Sequence, residues 1–196
     1  MLALAVRDRI LDAGARLMEP VESIRATVVG ASQYTIQVSG STIFITPESA
    51  VPVRNVPVVK PELELTADEI EPGAIHAGMD QALTRLDLAH ANTAIAVAFH
   101  WGGSATFKRL HDFCTGIREG MREFIARGHP IILVNDGDIG GLLGLHLTEE
   151  MGVEAAVISI DGIDLNEFDF IDIGELIPTS GAVPVVIKSL VFPATS

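Results

Sequence analysis

Asp136 and Asp138 flank a glycine in the segment LVNDGDIGGLLG, whose residue types are found in metal and phosphate sites. The spacing is not that of an EF-hand calcium loop, because Gly140 stands at the fifth position and Leu147 at the twelfth. It also differs from the dinucleotide and Walker loops, since the first glycine spacing and the lysine are missing. The pattern favours Asp138 as the cap of a following helix, with a water-mediated Mg²⁺ contact or an interface role as alternatives.

Two loops of small residues suggest a different kind of site. The sequence GASQ at 30–33 joins two β-rich runs, and HWGGS at 100–104 directly follows an apolar run. Small residues allow a tight turn, and they also allow another molecule to approach the backbone closely. An ordinary turn is therefore the alternative to a binding loop at both places.

The other titratable residues predict little chemistry. His111 and Cys114 are three apart on one predicted helix, but no second pair in the sequence completes a metal site with them. Cys114 falls on the apolar stripe of that helix and is expected in the core. The acidic residues between 161 and 175 have no basic residue among them, which predicts a solvated loop face or a docking edge.

The strands that must position these residues follow from the hydrophobic pattern. Three β-rich runs over 25–46 predict an antiparallel meander, and the prolines of 47–61 leave room for at most an edge strand and a connector. Continuous apolar runs at 93–99, 131–134 and 155–160 predict strands buried on both faces, with the first two side by side and parallel. The tail VPVVIKSLVF predicts a closing strand after the turn at Ser180-Gly181.

Helical spacing of apolar residues predicts the remaining elements. One helix follows the capping-box pattern TADE at 66–69 and buries Met79, and Pro72-Gly73 leaves its start open by one turn. Two others are expected over 107–124 and from about 139 to 151. Residues 2–18 form an amphipathic pattern without a capping residue at its start. We therefore expect residues 1–22 to be a helix continuing from a longer chain, and residues 23–196 to be one α/β lobe.

Composition excludes several classes of function. The chain has 196 residues and a formal net charge of −13, so it lacks the basic surface that a nucleic-acid binder needs. A single cysteine cannot form an internal disulfide, and no apolar run approaches the roughly 18 residues of a membrane span. These features predict a cytoplasmic protein without a signal peptide or membrane contact.

Long runs of the sequence resemble one known family. The order of a three-stranded meander followed by crossovers is similar to the ribonuclease-H-like lobes of the actin, Hsp70 and sugar-kinase superfamily. Within that superfamily, IRATVVGASQYTIQVSGSTIFI, LVNDGDIGGLLG and FDFIDIGELIPTSGAVPVVIKSLVF resemble the carboxy-terminal half of the ethanolamine ammonia-lyase reactivating factor.

The resemblance implies a chaperone-like factor of ethanolamine utilisation that uses ATP and Mg²⁺ to release damaged cobalamin from ethanolamine ammonia-lyase, so that adenosylcobalamin can rebind. By position, it places phosphates at Gly30, Ala31, Ser32 and Gln33, and adenosine at Gly102, Gly103 and Ser104. Asp136 and Asp138 stay candidates for a metal or interface role on their residue pattern alone. The expected partners are the lyase and an amino-terminal lobe of the same protein. The expected location is the cytoplasm, in association with a bacterial microcompartment. The oligomeric state is left open, with a homodimer among the alternatives.

Other functions of the same fold stay open. A nucleotide-free domain could dock on the lyase or on a sister subunit, and a small-molecule kinase lobe would need a substrate site that the sequence does not reveal. No catalytic residue is assigned. Because phosphoryl transfer in this superfamily needs groups from two lobes, this chain alone is expected not to hydrolyse ATP.

Overall fold

Short apolar runs form the parallel centre of an eight-stranded sheet in the computed structural model, which describes Arg9, Gly14 and residues 32–190. The predicted amino-terminal helix and the first run of the predicted meander lie outside these residues, apart from Arg9 and Gly14. The strands are β1 Ser32–Val38, β2 Phe44–Thr46, β3 Val53–Val59, β4 Ala96–Phe99, β5 Ile131–Asn135, β6 Val157–Ile160, β7 Phe170–Ile173 and β8 Pro184–Leu190. Their order across the sheet is β1-β8-β7-β3-β4-β5-β6-β2.

Strands β3 to β6 are parallel. The continuous apolar runs predicted this pairing for β4 and β5, whereas β3 lies in the proline-rich stretch. Ala96 pairs with Ile132 and Ile132 with Ile158, so β4 and β5 lie side by side. Successive side chains alternate between two buried clusters: Val97 and Leu133 enter one, while Ala96 and Ile132 enter the other. Burial on both faces explains why these runs lack the polar alternation of a surface strand.

The first cluster lies under the helices, which are α1 Pro72–Arg85, α2 Phe107–Gly120, α3 Arg122–Ala126 and α4 Gly140–Leu145. A π-helical turn, His146–Glu150, continues α4. Met79 packs here against the strands, as predicted, together with Phe113 and Leu143. Helix α1 begins at Pro72, the later of the two starts that the sequence left open, because proline suits the first helical turn and Thr66 donates to Glu64. Within residues 32–190, no helix is long and apolar enough to cross a membrane.

The second cluster is enclosed by the sheet itself. Ile132 and Ile158 of the parallel strands share it with Ile171 and Val185 of β7 and β8. Val38 and Phe44 belong to strands at opposite ends of the sheet, yet six residue steps join them, which reach at most ~21 Å. Eight flat strands would span about 34 Å. The sheet must therefore curl, and the curl creates this second core.

The predicted meander over 26–46 is wrong within the residues that the structure describes. Strand β1 pairs with β8, and β2 pairs with β6, both antiparallel. The connection between β1 and β2 does not turn back as a hairpin, because the backbone N–H of Ser39 donates to Val183 O and that of Gly40 to Asp161 O. The closing strand predicted in the tail is confirmed as β8, so the antiparallel part of the sheet is β7, β8 and β1.

The proline-rich stretch also differs from its prediction. Strand β3 is central, since it pairs with β7 on one side and β4 on the other. Its register shifts between Val53 and Val56, and Asn55 has a φ of 55°. Val56 and Pro57, which follow this bulge, are back in register with Ile171 and Phe170. The α/β class is confirmed, with a mixed rather than meander-based sheet.

Candidate functional site

A polar residue directly follows each of the four parallel strands. Because the carboxyl ends of parallel strands meet at one edge of a sheet, these residues share that edge, which is also where ligands bind in open α/β sheets. We call this set the carboxyl edge, and its members are Lys60, His100, Asp136 and Asp161.

His100 and Asp136 form an ion-pair-like contact at this edge. The Nδ1 of His100 lies 2.8 Å from Oδ2 and 3.0 Å from Oδ1 of Asp136. A carboxylate accepts hydrogen bonds, so Nδ1 donates and Nε2 is left as the acceptor nitrogen. The His100 side chain is 68% exposed. The pair therefore presents an oriented imidazole that can take a proton from a bound molecule or water.

Lys60 lines a cleft beside this pair. Its Nζ donates to Leu165 O at 2.6 Å and lies 3.3 Å from Asp164 Oδ1. The cleft has a volume of about 450 Å³ and is lined by residues of 60–66 together with Arg85, Phe99, His100 and Glu167. Arg85 Nε donates to Glu167 Oε1 at 3.0 Å. The charged lining thus carries both signs, and its two cations are already paired.

Thr42 joins the carboxyl edge from the start of β2. Its hydroxyl lies 2.5 Å from Asp161 Oδ2 and also contacts Asp138 Oδ1. Asp161 is 1% exposed, and its Oδ1 has no hydrogen-bond partner among the described residues. The predicted capping role of Asp138 is wrong, because Ile139 is the residue before α4 and no side chain caps that helix. No group of three or more His, Cys, Asp or Glu side chains placed to hold a metal occurs in the described part of the chain.

The predicted phosphate loop is only partly described. Gly30 and Ala31 lie outside the described residues, while Ser32 and Gln33 begin β1, where they pair with Leu190 and Ser189. Nothing in this pairing tests a phosphate contact, which stays a prediction.

The predicted adenosine loop at Gly102, Gly103 and Ser104 has a structural reason for its glycines. Arg109 is 3% exposed, and its guanidinium donates to Leu65 O at 2.6 Å, to Gly102 O at 2.8 Å and to Ser104 O. A Cβ on Gly102 would lie 2.7 Å from Thr66 Cγ2, and Gly103 has a φ of +76°. The groups that approach these glycines closely are therefore Arg109 and Thr66 of the protein itself. Adenosine contact stays a prediction.

The acidic segment is less solvated than predicted. Asp161 and Asp169 are buried, and Asp169 Oδ2 accepts from the backbone of Asn166 at 2.8 Å. Burial opposes ionisation of Asp172, but hydrogen bonds from Lys188 and the Asn55 backbone hold the pKa of Asp172 below its ordinary value. The prediction of a solvated face is wrong for buried Asp161 and Asp169. Asp172 is partly buried, and Lys188 and the backbone of Asn55 reach its carboxylate from other elements.

Cys114 lies in the core as predicted. Burial raises the pKa of its thiol to about 12, so it is not a thiolate nucleophile near neutral pH. The His111 imidazole contacts the imidazole of His146, with Nδ1 and Nε2 3.2 Å apart.

Lys60, Thr42 and Asp161 were not predicted as site residues. Lys60 and Asp161 could have been found from their positions, since each is the first polar residue after a buried strand. Thr42 gave no such signal, because its contacts reach 96 and 119 positions along the chain.

Comparison with known proteins covers most of this chain. The family model described as ethanolamine utilisation protein EutA matches residues 1–193. A Salmonella typhimurium protein named ethanolamine ammonia-lyase reactivase EutA is 32% identical over 178 residues, which are 89% of this chain and 35% of that protein. The Escherichia coli protein of the same name is 30% identical over 197 residues, covering 99% of this chain and 39% of that protein.

The chain thus spans less than two fifths of the length of these two relatives. No solved structure matches it significantly. The family model covers nearly the whole chain, which confirms the resemblance found in its sequence. The chain belongs to the EutA family of ethanolamine utilisation proteins.

Proposed function

We propose that this chain is a ligand-binding part of a factor that reactivates ethanolamine ammonia-lyase. The observation that carries the proposal is its similarity, over 89% and 99% of its length, to two proteins named as reactivases of that lyase. The finer proposal is that the factor uses ATP and Mg²⁺ to release damaged cobalamin, with this chain as the carboxy-terminal lobe of an actin-like ATPase. The mixed α/β sheet with polar residues along its carboxyl edge supports such a lobe.

The cleft beside His100 is the proposed place for a nucleotide. Its volume of about 450 Å³ falls within the usual range for small-molecule sites. Glu62, Glu64 and Glu167 outnumber Lys60 and Arg85 in its lining. This lining fits a nucleoside, whose hydroxyl and amino groups donate to carboxylates, better than it fits a triphosphate. Bound ATP would supply the free energy of phosphoryl transfer.

The residues of this chain would then have distinct tasks. Carboxylates of the cleft would orient the nucleoside, and Phe99 would supply apolar surface in its lining. The His100 imidazole, held by Asp136, would accept a proton at Nε2. Phosphate contacts at Gly30 to Gln33 and adenosine contacts at Gly102 to Ser104 stay part of the same proposal.

A second candidate function is docking on the lyase or another subunit without nucleotide. It is favoured by one observation: Tyr34, Ile36 and Val38 project from the same face of β1 and are 64%, 72% and 57% exposed. Because β1 is at the end of the sheet order and β-strand side chains alternate, these residues form a continuous apolar stripe.

Amide hydrogen exchange of the purified chain separates the two functions. Saturating Mg²⁺ and ATP should slow exchange at residues 60–66 and 100–104 if the cleft binds nucleotide. Purified lyase should instead slow exchange at residues 34–38 if β1 docks on it. Unchanged exchange at 60–66 and 100–104 with nucleotide would reject the cleft as the nucleotide site. As a matched pair, Glu64→Gln should weaken any nucleotide effect, whereas exposed Glu119→Gln on α2 should not.

A further inference from the structure

Two strands end the sheet order, and within the described residues only one of them is covered. Strand β2 has three residues, and α4 lies against it: the N–H of Gly141 donates to Thr42 O, and Gly144 packs on Phe44. Strand β1 has seven residues, and its only strand partner among the described residues is β8. Because an antiparallel strand directs alternate backbone groups to either side, about half of the N–H and C=O groups of β1 point away from β8.

This outer edge of β1 lacks the features that usually block strand pairing. Residues 32–38 contain no charged residue and no proline, and their register with β8 has no bulge. None of their backbone groups bonds to a described residue outside β8. Edge strands are normally protected by lysine, proline, a bulge or a covering element, since their free backbone groups can pair with another chain. The edge of β1 is therefore suited to accept a further strand.

The side chains of β1 determine which strand would fit. Tyr34, Ile36 and Val38 lie on one face, and each is more than half exposed, while Thr35 and Gln37 lie on the other face. Residues directly opposite each other in an antiparallel pair lie on the same face and contact each other. A fitting partner strand therefore alternates apolar and polar residues, and β1 itself has this pattern.

We propose that β1 pairs antiparallel with β1 of a second copy of this chain, with Ile36 opposite Ile36 at a two-fold axis. In this register Tyr34 lies opposite Val38, and Thr35 lies opposite Gln37. Apolar side chains then face apolar ones and polar side chains face polar ones along the whole described part of the strand. The contact is isologous, since the same surface is used by both copies.

Other registers match less well. A shift of one residue would place the apolar face of one strand beside the polar face of the other. A shift of two residues keeps the faces together, but it places Val38 opposite Ser32 in one direction and Tyr34 opposite Gly40 in the other. The register centred on Ile36 is thus the one that pairs all three exposed apolar residues with one another.

Charge does not oppose this contact. The chain has a formal net charge of −13, so two copies repel each other wherever acidic surfaces meet. Strand β1 has no charge of its own. The charges on the same face of the neighbouring strands are Lys188 of β8 and Asp172 of β7, and they pair with each other at 2.7 Å. Pairing through β1 therefore brings no like charges together at the strand.

The inference rests on the second candidate function, docking through β1, and names a second copy as the partner. A single pair of short strands buries less than the roughly 1,200 Å² at which stable interfaces begin, so the dimer is weak and depends on protein concentration. The two proposals fail separately. Self-association needs no lyase, and protection of β1 by the lyase needs no dimer.

Sedimentation velocity of the purified chain, from about 10 µM to 1 mM, covers the range of weak complexes. The mean mass should rise towards that of a dimer and no further, because the other end of the sheet is covered. Ile36→Lys should raise the dissociation constant at least about tenfold, since like charges would lie directly opposite each other. Leu142→Lys, at an exposed site on α4, should leave it unchanged. A chain that stays monomeric over this range, or equal weakening by the two variants, would overturn the proposal.

Disulfide cross-linking tests the register. Opposite residues of antiparallel strands have Cα atoms about 4.5–5.5 Å apart, which a disulfide can bridge. Mild oxidation should therefore convert Ile36→Cys into a covalent dimer, whereas Thr35→Cys, which lies two residues away from its own copy, should form little. Cys114 is buried, so the unsubstituted chain gives the background. Equal cross-linking of the two variants, or none of Ile36→Cys above background, would contradict the proposed pairing.

Discussion

His111 Nδ1 and His146 Nε2 lie 3.2 Å apart, and the two imidazoles share one hydrogen bond between α2 and the π-helical turn. Phe107 packs against both rings, with its ring centroid 5.0 Å from that of His146. His146 is 4% exposed. Burial first, and the charge of a protonated His111 second, lower the pKa of His146 below its ordinary value, although Glu150 opposes this. The contact therefore favours a neutral His146 in the folded protein.

Acid should weaken the fold through this pair. The unfolded chain binds a proton at His146 near pH 6.5, while the folded chain binds it only at lower pH. The stabilisation is thus fully present above about pH 6.5 and is lost as the pH falls through the lowered pKa of the folded state. Urea midpoints at pH 7.5 and pH 5 should show a smaller acid loss for His146→Gln than for the unsubstituted chain. His90→Gln, an exposed histidine, should show the same acid loss as the unsubstituted chain.

Phe113 should be a main contributor to stability beneath the carboxyl edge. Its ring is fully buried, 4.7 Å from Phe99 and 5.5 Å from Trp101 between ring centroids. Phe113→Ala should lower the free energy of unfolding by about 3–5 kcal/mol, because it removes apolar contacts and leaves a cavity. Phe107→Ala, on the same helix but 63% exposed, should change the free energy of unfolding by less than about 1 kcal/mol. Similar losses for the two variants would contradict this assignment.

Arg109 should hold the Trp101 loop through its charge and its shape. It donates to three backbone carbonyls, and its guanidinium carbon lies 4.8 Å from the centroid of the Trp101 ring. Arg109→Met should lower the free energy of unfolding by about 2–4 kcal/mol, because buried carbonyls lose charged donors. Arg109→Lys should recover only part of the loss, since an ammonium lacks the planar fork. Arg118→Met, at a half-exposed site on α2, is the control and should have little effect on urea midpoints.

The imidazole of His100 should be held in one tautomer by Asp136. With Nδ1 donating to the carboxylate, Nε2 of the neutral ring carries no proton. Nitrogen-15 chemical shifts of the His100 ring should report this tautomer above pH 8, and Asp136→Ala should shift the ring toward the tautomer that is common in free histidine. A protonated Nε2 in the unsubstituted chain would show that the contact with Asp136 does not orient the ring.

The buried parallel strands could be predicted from the sequence because their signal is local. Runs such as 131–134 are apolar at every position, which happens only where both faces of a strand are covered. The same locality placed Cys114 and Met79 in the core, since helical spacing alone puts them on the buried face. The loops after β4 and β5 were also found, because small and acidic residues stand directly after these runs.

The partners of β1 and β2 were decided by the tertiary structure. Backbone hydrogen bonds between antiparallel strands are similar whichever strand is the neighbour, so local pattern cannot choose β8 over β2 as the partner of β1. The bulge in β3 is likewise a feature of its pairing with β7. Packing of the second core selects these pairings, because the curl of the sheet brings Ile171 and Val185 against the parallel strands.

The sequence by itself determined the buried strands, the helical faces and the family, since each rests on residues that are neighbours along the chain or on long continuous runs. Only the tertiary structure brought Thr42 to Asp138 and Asp161, which are 96 and 119 positions away. It also placed the guanidinium of Arg109 against the loop at 102–104, where it donates to Leu65 O, 44 positions away along the chain. Side-chain contacts at such separations depend on how strand ends are arranged in space, and no spacing in the sequence records that arrangement.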